Sequence, residues 1–262
     1  MRPSPRHLVK GFVGRSVDEF KRLSTSSMFF EPKNFLVTVN LTILPVLKAE
    51  GLREPTKPYV LASFRDPKSV QDCKAMSDKD IGGFSTVSLD WVPPSKNQTP
   101  NATGSSHGHA KFHGNISIEL PTNRPEVHRT GYAAWRTKDK GYTIFGKTLW
   151  DIDPYEFLAL RIKSDGRKYF INLQTESIVP TDIHQHRLYA KRPGEWETLF
   201  VPWTEFVRTN HGVVVEPQRE MLRQSLRTIG IGLTDRVPGN FELCIERMWA
   251  TNEMKNDDSS FE

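Results

Sequence analysis

Residues 157–174 read FLALRIKSDGRKYFINLQ, and the fold can be inferred from this stretch almost residue by residue. Two apolar, alternating runs flank Asp165-Gly166, a dipeptide typical of the two-residue type I′ turn that closes a β-hairpin. Such a turn fixes the strand register. The predicted core face therefore consists of the cross-strand pairs Ile162 with Tyr169, Leu160 with Ile171, and Leu158 with Leu173.

The opposite face of this predicted hairpin mixes aromatic, amide and guanidinium groups. Aromatic residues and Arg are enriched in protein interfaces, so the face predicts a contact surface for a partner. The alternative is an outer sheet face that a loop of the same chain covers. We expect a Trp-Arg pair from a neighbouring run close by, so the predicted partner-binding residues are Phe157, Arg161, Phe170, Asn172, Gln174, Trp135 and Arg136.

Similar short runs of β-branched and aromatic residues recur over 59–250, separated by Gly, Pro and Asp clusters. This pattern predicts an all-β domain, a two-sheet antiparallel sandwich. Within it, residues 92–111 are rich in Pro, Asn, Ser, Thr and Gly, and we expect a flexible loop there. Residues 251–262 are polar and predict a disordered tail.

Residues 1–58 form a predicted N-terminal extension that is mostly outside the sandwich. Ser16 to Glu19 match a capping box, which predicts a short helix from Val17 to Leu23. The apolar segment from Phe35 to Leu47 partly alternates, as a half-buried strand does. We expect it to pack against the sandwich or a partner; a helix or a membrane-surface segment is the alternative.

Charge and hydropathy exclude several classes of protein. The net charge is +5, but residues 1–24 carry six basic and two acidic residues, so the remainder is close to neutral. A nucleic-acid-binding protein would carry a basic stripe on its folded body, and none is predicted. No apolar run reaches the roughly 18 residues of a membrane span. The first 17 residues contain no acid, which fits either the end of a mitochondrial transit peptide or an ordinary basic tail.

A search for catalytic and metal-binding patterns predicts no catalytic residue, no metal and no cofactor. The histidine clusters lack a cysteine pair or HExxH spacing; they are His107, His109 and His113, and His184 with His186. Gly230-Ile231-Gly232 lacks the third glycine of a dinucleotide-binding motif and lies in an apolar run, which favours a strand. Cys73 and Cys244 are far apart, which favours reduced thiols without excluding a single disulfide.

Six segments occur in a characteristic order and spacing: Asp80–Ser85, Ala110–Gly114, Gly131–Thr137, Phe157–Gln174, Gly194–Trp203 and Ile229–Phe241. Together, over about residues 60–250, they resemble the complex I intermediate-associated protein family. The resemblance implies a galactose-binding-like jelly roll without catalytic residues. It also implies a mitochondrial matrix location at the inner membrane, peripheral to it. The expected function is that of an assembly chaperone whose protein partners are subunits of the complex I membrane arm and other assembly factors.

A different class of function stays open from the sequence. Sandwiches of this kind often host carbohydrate- or small-ligand-binding modules, and a fold alone does not decide a function. The six tryptophans would suit ring stacking on a sugar, although core packing is the commoner role of tryptophan in a sandwich. Retention on a sugar matrix would favour this lectin-like alternative.

Overall fold

A computed structural model of the protein describes residues 57–94, 107–144, 146–177, 179 and 181–254. The predicted helix and apolar segment of the N-terminal extension lie outside these residues. So do most of the predicted loop 92–111 and the tail beyond residue 254. The domain boundaries drawn from the sequence therefore stay predictions.

The described strands form two antiparallel sheets and one short hairpin. Sheet A contains β1 (Tyr59–Ser63), β3 (Thr86–Val92), β4 (His109–Ile116), β8 (Phe157–Ser164), β11 (Trp196–Pro202) and β15 (Gly239–Thr251). Sheet B contains β2 (Cys73–Ser77), β5 (Ala133–Thr137), β9 (Tyr169–Thr175), β10 (Asp182–Arg187), β12 (Val207–Asn210), β13 (Val213–Val214) and β14 (Leu226–Leu233). The hairpin consists of β6 (Tyr142–Thr143) and β7 (Gly146–Lys147).

The order of strands in sheet A is β11-β8-β15-β4-β3, with β1 also paired to β15, and in sheet B it is β13-β12-β10-β9-β14-β5-β2. Helical structure in the described residues is limited to short 3₁₀ turns, at Pro67–Asp72, Asp78–Ile81, Trp203–Glu205 and Arg223–Ser225. No helix among the described residues is long and apolar enough to cross a membrane. The all-β prediction is confirmed.

The core lies between the two sheets and is built from the alternate side chains of each strand that point inward. Leu158, Leu160 and Ile162 point into it from sheet A, and all three are fully buried. From sheet B, the residues that meet them are also fully buried: Tyr169, Ile171 and Leu173. The predicted burial of these six side chains is confirmed. Full burial of one such aliphatic side chain stabilises the fold by about 1.5–3 kcal/mol.

The predicted pairing of these two strands is wrong, because β8 and β9 lie in different sheets. Strand β8 pairs with β11 and β15, whereas β9 pairs with β10 and β14. The turn at Asp165-Gly166, where Gly166 has a φ of 89°, therefore carries the chain from sheet A to sheet B. The same alternation buries the same six side chains whether the strands lie side by side or face each other across a core. The turn dipeptide does not distinguish these arrangements.

The crossing between the sheets is held by Arg167. Its Nε and Nη2 atoms lie 3.1 and 2.8 Å from the carboxylate oxygens of Asp235. Its Nη1 atom donates to the carbonyls of Gly239 and Asn240, at 3.1 and 3.0 Å. A guanidinium with a forked carboxylate contact and additional carbonyl acceptors is a rigid connection. It ties the turn before β9 to Asp235, which lies between β14 and β15, and to the first residues of β15.

A second connection between the sheets is the buried carboxylate of Asp78, which is 0% exposed. It accepts hydrogen bonds from the backbone N of Ser85 at 2.9 Å, the Oγ of Ser85 at 2.7 Å and the backbone N of Gly131 at 2.7 Å. The Ser85 Oγ in turn accepts from the backbone N of Ser117 at 3.1 Å. A Cβ at Gly83 would lie 2.4 Å from Asp78 Cγ, so only glycine fits there.

The Asp78→Ala substitution is expected to lower the free energy of unfolding by about 3 kcal/mol, because it leaves buried donors of Ser85 and Gly131 without an acceptor. Urea unfolding of the purified protein measures this. The matched control is Asp90→Ala on β3: the Asp90 side chain is 64% exposed and pairs with His113 at 2.7 Å. That substitution should cost at most about 1 kcal/mol. Equal losses in the two variants would contradict the structural role of Asp78.

Candidate partner-binding face

The residues predicted to bind a partner do not form one surface. Because β8 and β9 belong to different sheets, their outward side chains lie on opposite faces of the sandwich. The prediction of a single contact surface is therefore wrong. Phe157 and Arg161 lie on the outer face of sheet A. Four of the seven share the outer face of sheet B: Phe170, Asn172, Gln174 and Arg136.

Trp135 lies in the core and not on a surface. Strand β5 alternates, so its even-numbered residues point outward and Trp135 points inward with its two neighbours at i±2. Trp135 is 1% exposed and meets the ring of Phe64 edge-on, with a centroid distance of 5.4 Å. The sequence run Tyr132 to Arg136 has an aromatic residue on each face, Tyr132 on one and Trp135 on the other, so the pattern could not assign the direction of Trp135.

The outer face of sheet B carries a ladder of side-chain hydrogen bonds across three strands. The Oγ1 of Thr209 on β12 donates to the Oε1 of Gln185 at 2.9 Å. The Nε2 of Gln185 on β10 then donates to the Oδ1 of Asn172 on β9 at 2.8 Å. These bonds hold the two amides in one orientation, so the face presents a preorganised polar surface.

Two glycines of β14 lie beside the ladder, with Gly230 opposite Asn172 and Gly232 opposite Phe170. A Cβ at Gly232 would lie 2.8 Å from the Nδ2 of Asn172. At Gly230 it would lie 2.1 Å from the backbone oxygen of Trp135. These glycines permit close packing within the sheet, and the strand predicted for this motif is confirmed.

Guanidinium groups flank the amide ladder on both sides. Arg187 lies opposite Phe170, and its guanidinium carbon is 4.8 Å from the ring centroid of Tyr189. Sequence reasoning missed Arg187 and Gln185, since only the pairing of β9 with β10 brings them to this face. The Nε of Arg187 has no hydrogen-bond partner among the described residues.

On the other side of the ladder, Arg136 lies opposite Gly230. Its Nη1 atom is 3.8 Å from Asp139, whose carboxylate is bound more closely by Arg227 at 2.6 and 2.9 Å. The hydrogen bond from Arg227 lowers the pKa of Asp139, so this carboxylate stays ionised. One acidic group is shared by two guanidinium groups, which leaves this edge of the face cationic.

The outer face of sheet A presents a different environment. Phe157 lies between Pro202 and Thr251 in register, and Arg161 lies between Thr198 and Arg247. The Nη1 of Arg161 donates to the Oγ1 of Thr198 at 3.4 Å, a long hydrogen bond. Phe157 and Arg161 are both half-buried. They offer a natural comparison for the sheet B residues, because the same residue types occur on the opposite side of the sandwich.

The described residues contain no group of three or more His, Cys, Asp and Glu side chains placed to hold a metal ion. His184 and His186 lie opposite Leu173 and Ile171 and so point to the core side of sheet B. Burial lowers the pKa of His184, and the nearby charge of Arg208 lowers it further. The Nε2 of His186 lies 3.1 Å from a carboxylate oxygen of Glu205, within hydrogen-bonding distance.

Both cysteines are free thiols. Burial raises the pKa of Cys73 to about 12 and that of Cys244 to about 11, and a neighbouring carboxylate adds to each rise. A thiol with such a pKa is almost wholly protonated at neutral pH and is a poor nucleophile. Neither residue lies on the outer face of sheet B.

The profile of the complex I intermediate-associated protein 30 family matches residues 62–245, which is most of the described sandwich. The chain belongs to this family. The family resemblance inferred from six short segments is thereby confirmed. The matched range covers the outer-face residues of sheet B and both glycines of β14.

Relatives within the family come from fungi and animals and are named complex I intermediate-associated protein 30, mitochondrial. The Neurospora crassa protein is 50% identical over 255 residues, which are 93% of this chain and 84% of that protein. The Drosophila melanogaster protein is 29% identical over 63% of this chain, and the Mus musculus protein is 26% identical over 71%. The chain spans 52% and 54% of these two animal relatives.

Among solved structures, the family 11 carbohydrate-binding module of the Clostridium thermocellum cellulase Lic26A-Cel5E is similar in fold. Its TM-score is 0.50 at 13% sequence identity, and the match covers 76% of this chain and 96% of the module. An identity this low shows the fold alone. It confirms the predicted jelly-roll β-sandwich.

The Gly232→Ala substitution is expected to cost about 1–3 kcal/mol of stability, because the new Cβ would overlap the Asn172 amide. Adding Asn172→Ala removes that amide, so the double variant should recover most of this cost. Urea unfolding of both single variants and the double variant measures the coupling. The matched control is Gly230→Ala, which Asn172→Ala should not rescue, because the clash there is with backbone. Additive costs at Gly232 would contradict the placement of Asn172.

Proposed function

We propose that this chain is a non-catalytic assembly factor that binds an intermediate of the membrane arm of mitochondrial respiratory complex I. Family membership carries the proposal, because the relatives share a name that describes association with complex I intermediates. Their names also include the word mitochondrial, which supports a mitochondrial location. The proposed site of action is the matrix side of the inner membrane, with peripheral attachment. The proposed partners are membrane-arm subunits and other assembly factors.

The outer face of sheet B is the proposed partner-binding surface. It combines an aromatic side chain at Phe170 with guanidinium groups at Arg187 and Arg136, and such groups dominate interface energies. The hydrogen-bonded amides of Gln185 and Asn172 add polar specificity, and they are already ordered before binding. Ordered groups lose less conformational entropy when a partner binds. The proposal therefore retains four residues of the sequence-based site and adds two.

The chemistry of this face supports binding over catalysis. Its polar groups are amides, a threonine hydroxyl and guanidinium groups, none of which has a pKa near 7 as a free side chain. General acid–base catalysis needs a group with a pKa near the working pH. The two thiols of the described chain have raised pKa values and lie elsewhere. The face can hold a partner through hydrogen bonds and stacking.

The combined substitutions Phe170→Ala and Arg187→Ala are expected to weaken association with the partner by roughly 2 kcal/mol or more. The unfolding free energy should change by at most about 1 kcal/mol, because Phe170 and Arg187 point away from the core. Co-purification of complex I intermediates from mitochondria that express each variant measures association. Urea unfolding of the same proteins measures stability.

Two control variants make this experiment specific. Phe157→Ala with Arg161→Ala removes the same residue types from the outer face of sheet A and should leave co-purification unchanged. Ile171→Ala creates a core cavity beside the site and should cost about 2–5 kcal/mol of stability. Normal co-purification by the Phe170 and Arg187 variant would exclude this face. Retention of the protein on a sugar matrix, lost in that variant, would instead favour the carbohydrate-binding alternative.

A further inference from the structure

The hairpin formed by β6 and β7 presents the most exposed large apolar side chains of the described chain. Ile144 is 93% exposed and Tyr142 is 77% exposed. The register places Thr143 opposite Gly146, so the connection between the strands is two residues long and begins with Ile144. Exposing such side chains at a tip is unfavourable in water, and contiguous exposed apolar groups mark interaction sites.

The hairpin stands on a fixed base. The backbone N of Thr148 donates to the carbonyl of Gly141 at 3.1 Å, which closes the stem. Trp150 follows, and it is joined to Leu226 of β14 by two backbone hydrogen bonds of 2.8 and 3.0 Å. Trp150 is buried. The apolar tip is therefore carried on a support anchored in sheet B.

Lysines surround the base of the hairpin. Residues 136–147 contain four basic residues and one acid, Asp139. Lys140 lies with its Nζ atom 4.1 Å from the ring centroid of Trp150, and burial lowers its pKa. Lys147 lies opposite Tyr142 and is ion-paired with Glu176. Lys138 donates to the backbone oxygen of Gln71 at 2.6 Å.

We propose that this hairpin is a membrane-docking element that inserts Ile144 and Tyr142 into the headgroup region of an anionic bilayer. An aliphatic residue at the tip suits the acyl boundary, and a tyrosine suits the interface, where its hydroxyl stays hydrated. The four basic residues of 136–147 outnumber the neighbouring acids Asp139 and Glu176, so the base of the hairpin carries a net positive charge that favours anionic headgroups. This proposal names the element responsible for the peripheral membrane attachment in the proposed function, and it rests on that function.

A groove on a partner protein is the alternative binding site for the hairpin. The apolar tip and the lysines around it together favour a bilayer, because the tip is only one turn wide and the lysines are cations with a long aliphatic stem. Such stems lie along apolar surface while their charges stay in water. A groove on a protein would need to match both the tip and several lysines, whereas an anionic bilayer matches both without specific shape.

The test is flotation of the purified full chain with vesicles of phosphatidylcholine and phosphatidylglycerol in equal parts. The variant Tyr142→Ser with Ile144→Ser should bind at least about tenfold more weakly than the parent protein, because two apolar side chains no longer leave water. The matched control is Phe84→Ser with Val237→Ser, exposed apolar residues outside the hairpin that precede β3 and lie between β14 and β15. The control should bind as the parent does, and all three proteins should unfold at similar urea concentrations.

A second measurement reports the hairpin directly, independently of the basic residues 1–24. Ile144→Cys is labelled with an environment-sensitive fluorophore; the native thiols react slowly because burial raises their pKa values. Vesicles should shift the emission of this label to shorter wavelength and leave a label at Val237→Cys unchanged. Emission at Ile144→Cys that vesicles do not shift would overturn the proposal.

Two further outcomes also decide the proposal. If the Tyr142 and Ile144 variant floats as well as the parent, or the parent does not float, membrane docking by the hairpin is wrong. If that variant floats normally but loses complex I intermediates, the tip contacts a protein. The proposed function is tested separately, since Phe170→Ala with Arg187→Ala should lose the intermediates and still bind vesicles.

Discussion

The carboxylate of Asp78 is the interaction on which the relation between the two sheets depends. It is fully buried, and it binds the start of β3 through Ser85 and the approach to β5 through Gly131. A buried carboxylate is tolerated only when hydrogen bonds replace its lost water. Here three donors do so, and the missing Cβ of Gly83 makes room for the group. Two of the segments that identify the family, Asp80–Ser85 and Gly131–Thr137, adjoin this one carboxylate, because its donors are Ser85 and Gly131.

The turn at Asp165-Gly166 decides which side chains become neighbours. Since β8 and β9 enter different sheets, the inward apolar side chains of both strands meet across the core. Their outward side chains lie on opposite faces of the sandwich. Arg167 holds this crossing through Asp235 and two backbone carbonyls. The consequence for function is direct. Phe170 acquires Arg187 as its neighbour from β10, whereas Arg161 acquires Thr198 from β11.

Much of the fold follows from the sequence, and the site follows only in part. The period-two runs predict the strands and the burial of six core residues, because alternation depends on local pattern alone. Strand pairing depends on contacts far along the chain. The pattern of residues 157–174 is equally consistent with a hairpin and with a crossing between sheets. For the same reason Gln185 and Arg187 could not be assigned to the site from the sequence. The inward direction of Trp135 is established only by the structure, through its contact with Phe64.

Strand β5 links the two proposed surfaces. Its outward Arg136 borders the amide ladder on sheet B, and the chain reaches Tyr142 six residues later, a span of at most about 20 Å. Phe170 lies opposite Gly232, whereas the base of the hairpin is joined to Leu226, so six residues of β14, roughly 20 Å, separate them along sheet B. The Gln174 end of the outer face is nearer to the hairpin than the Phe170 end. If the tip rests in a bilayer, a subunit that contacts Phe170 and Arg187 would extend away from the membrane surface along this face. The two proposals are thus geometrically compatible, although each has its own test.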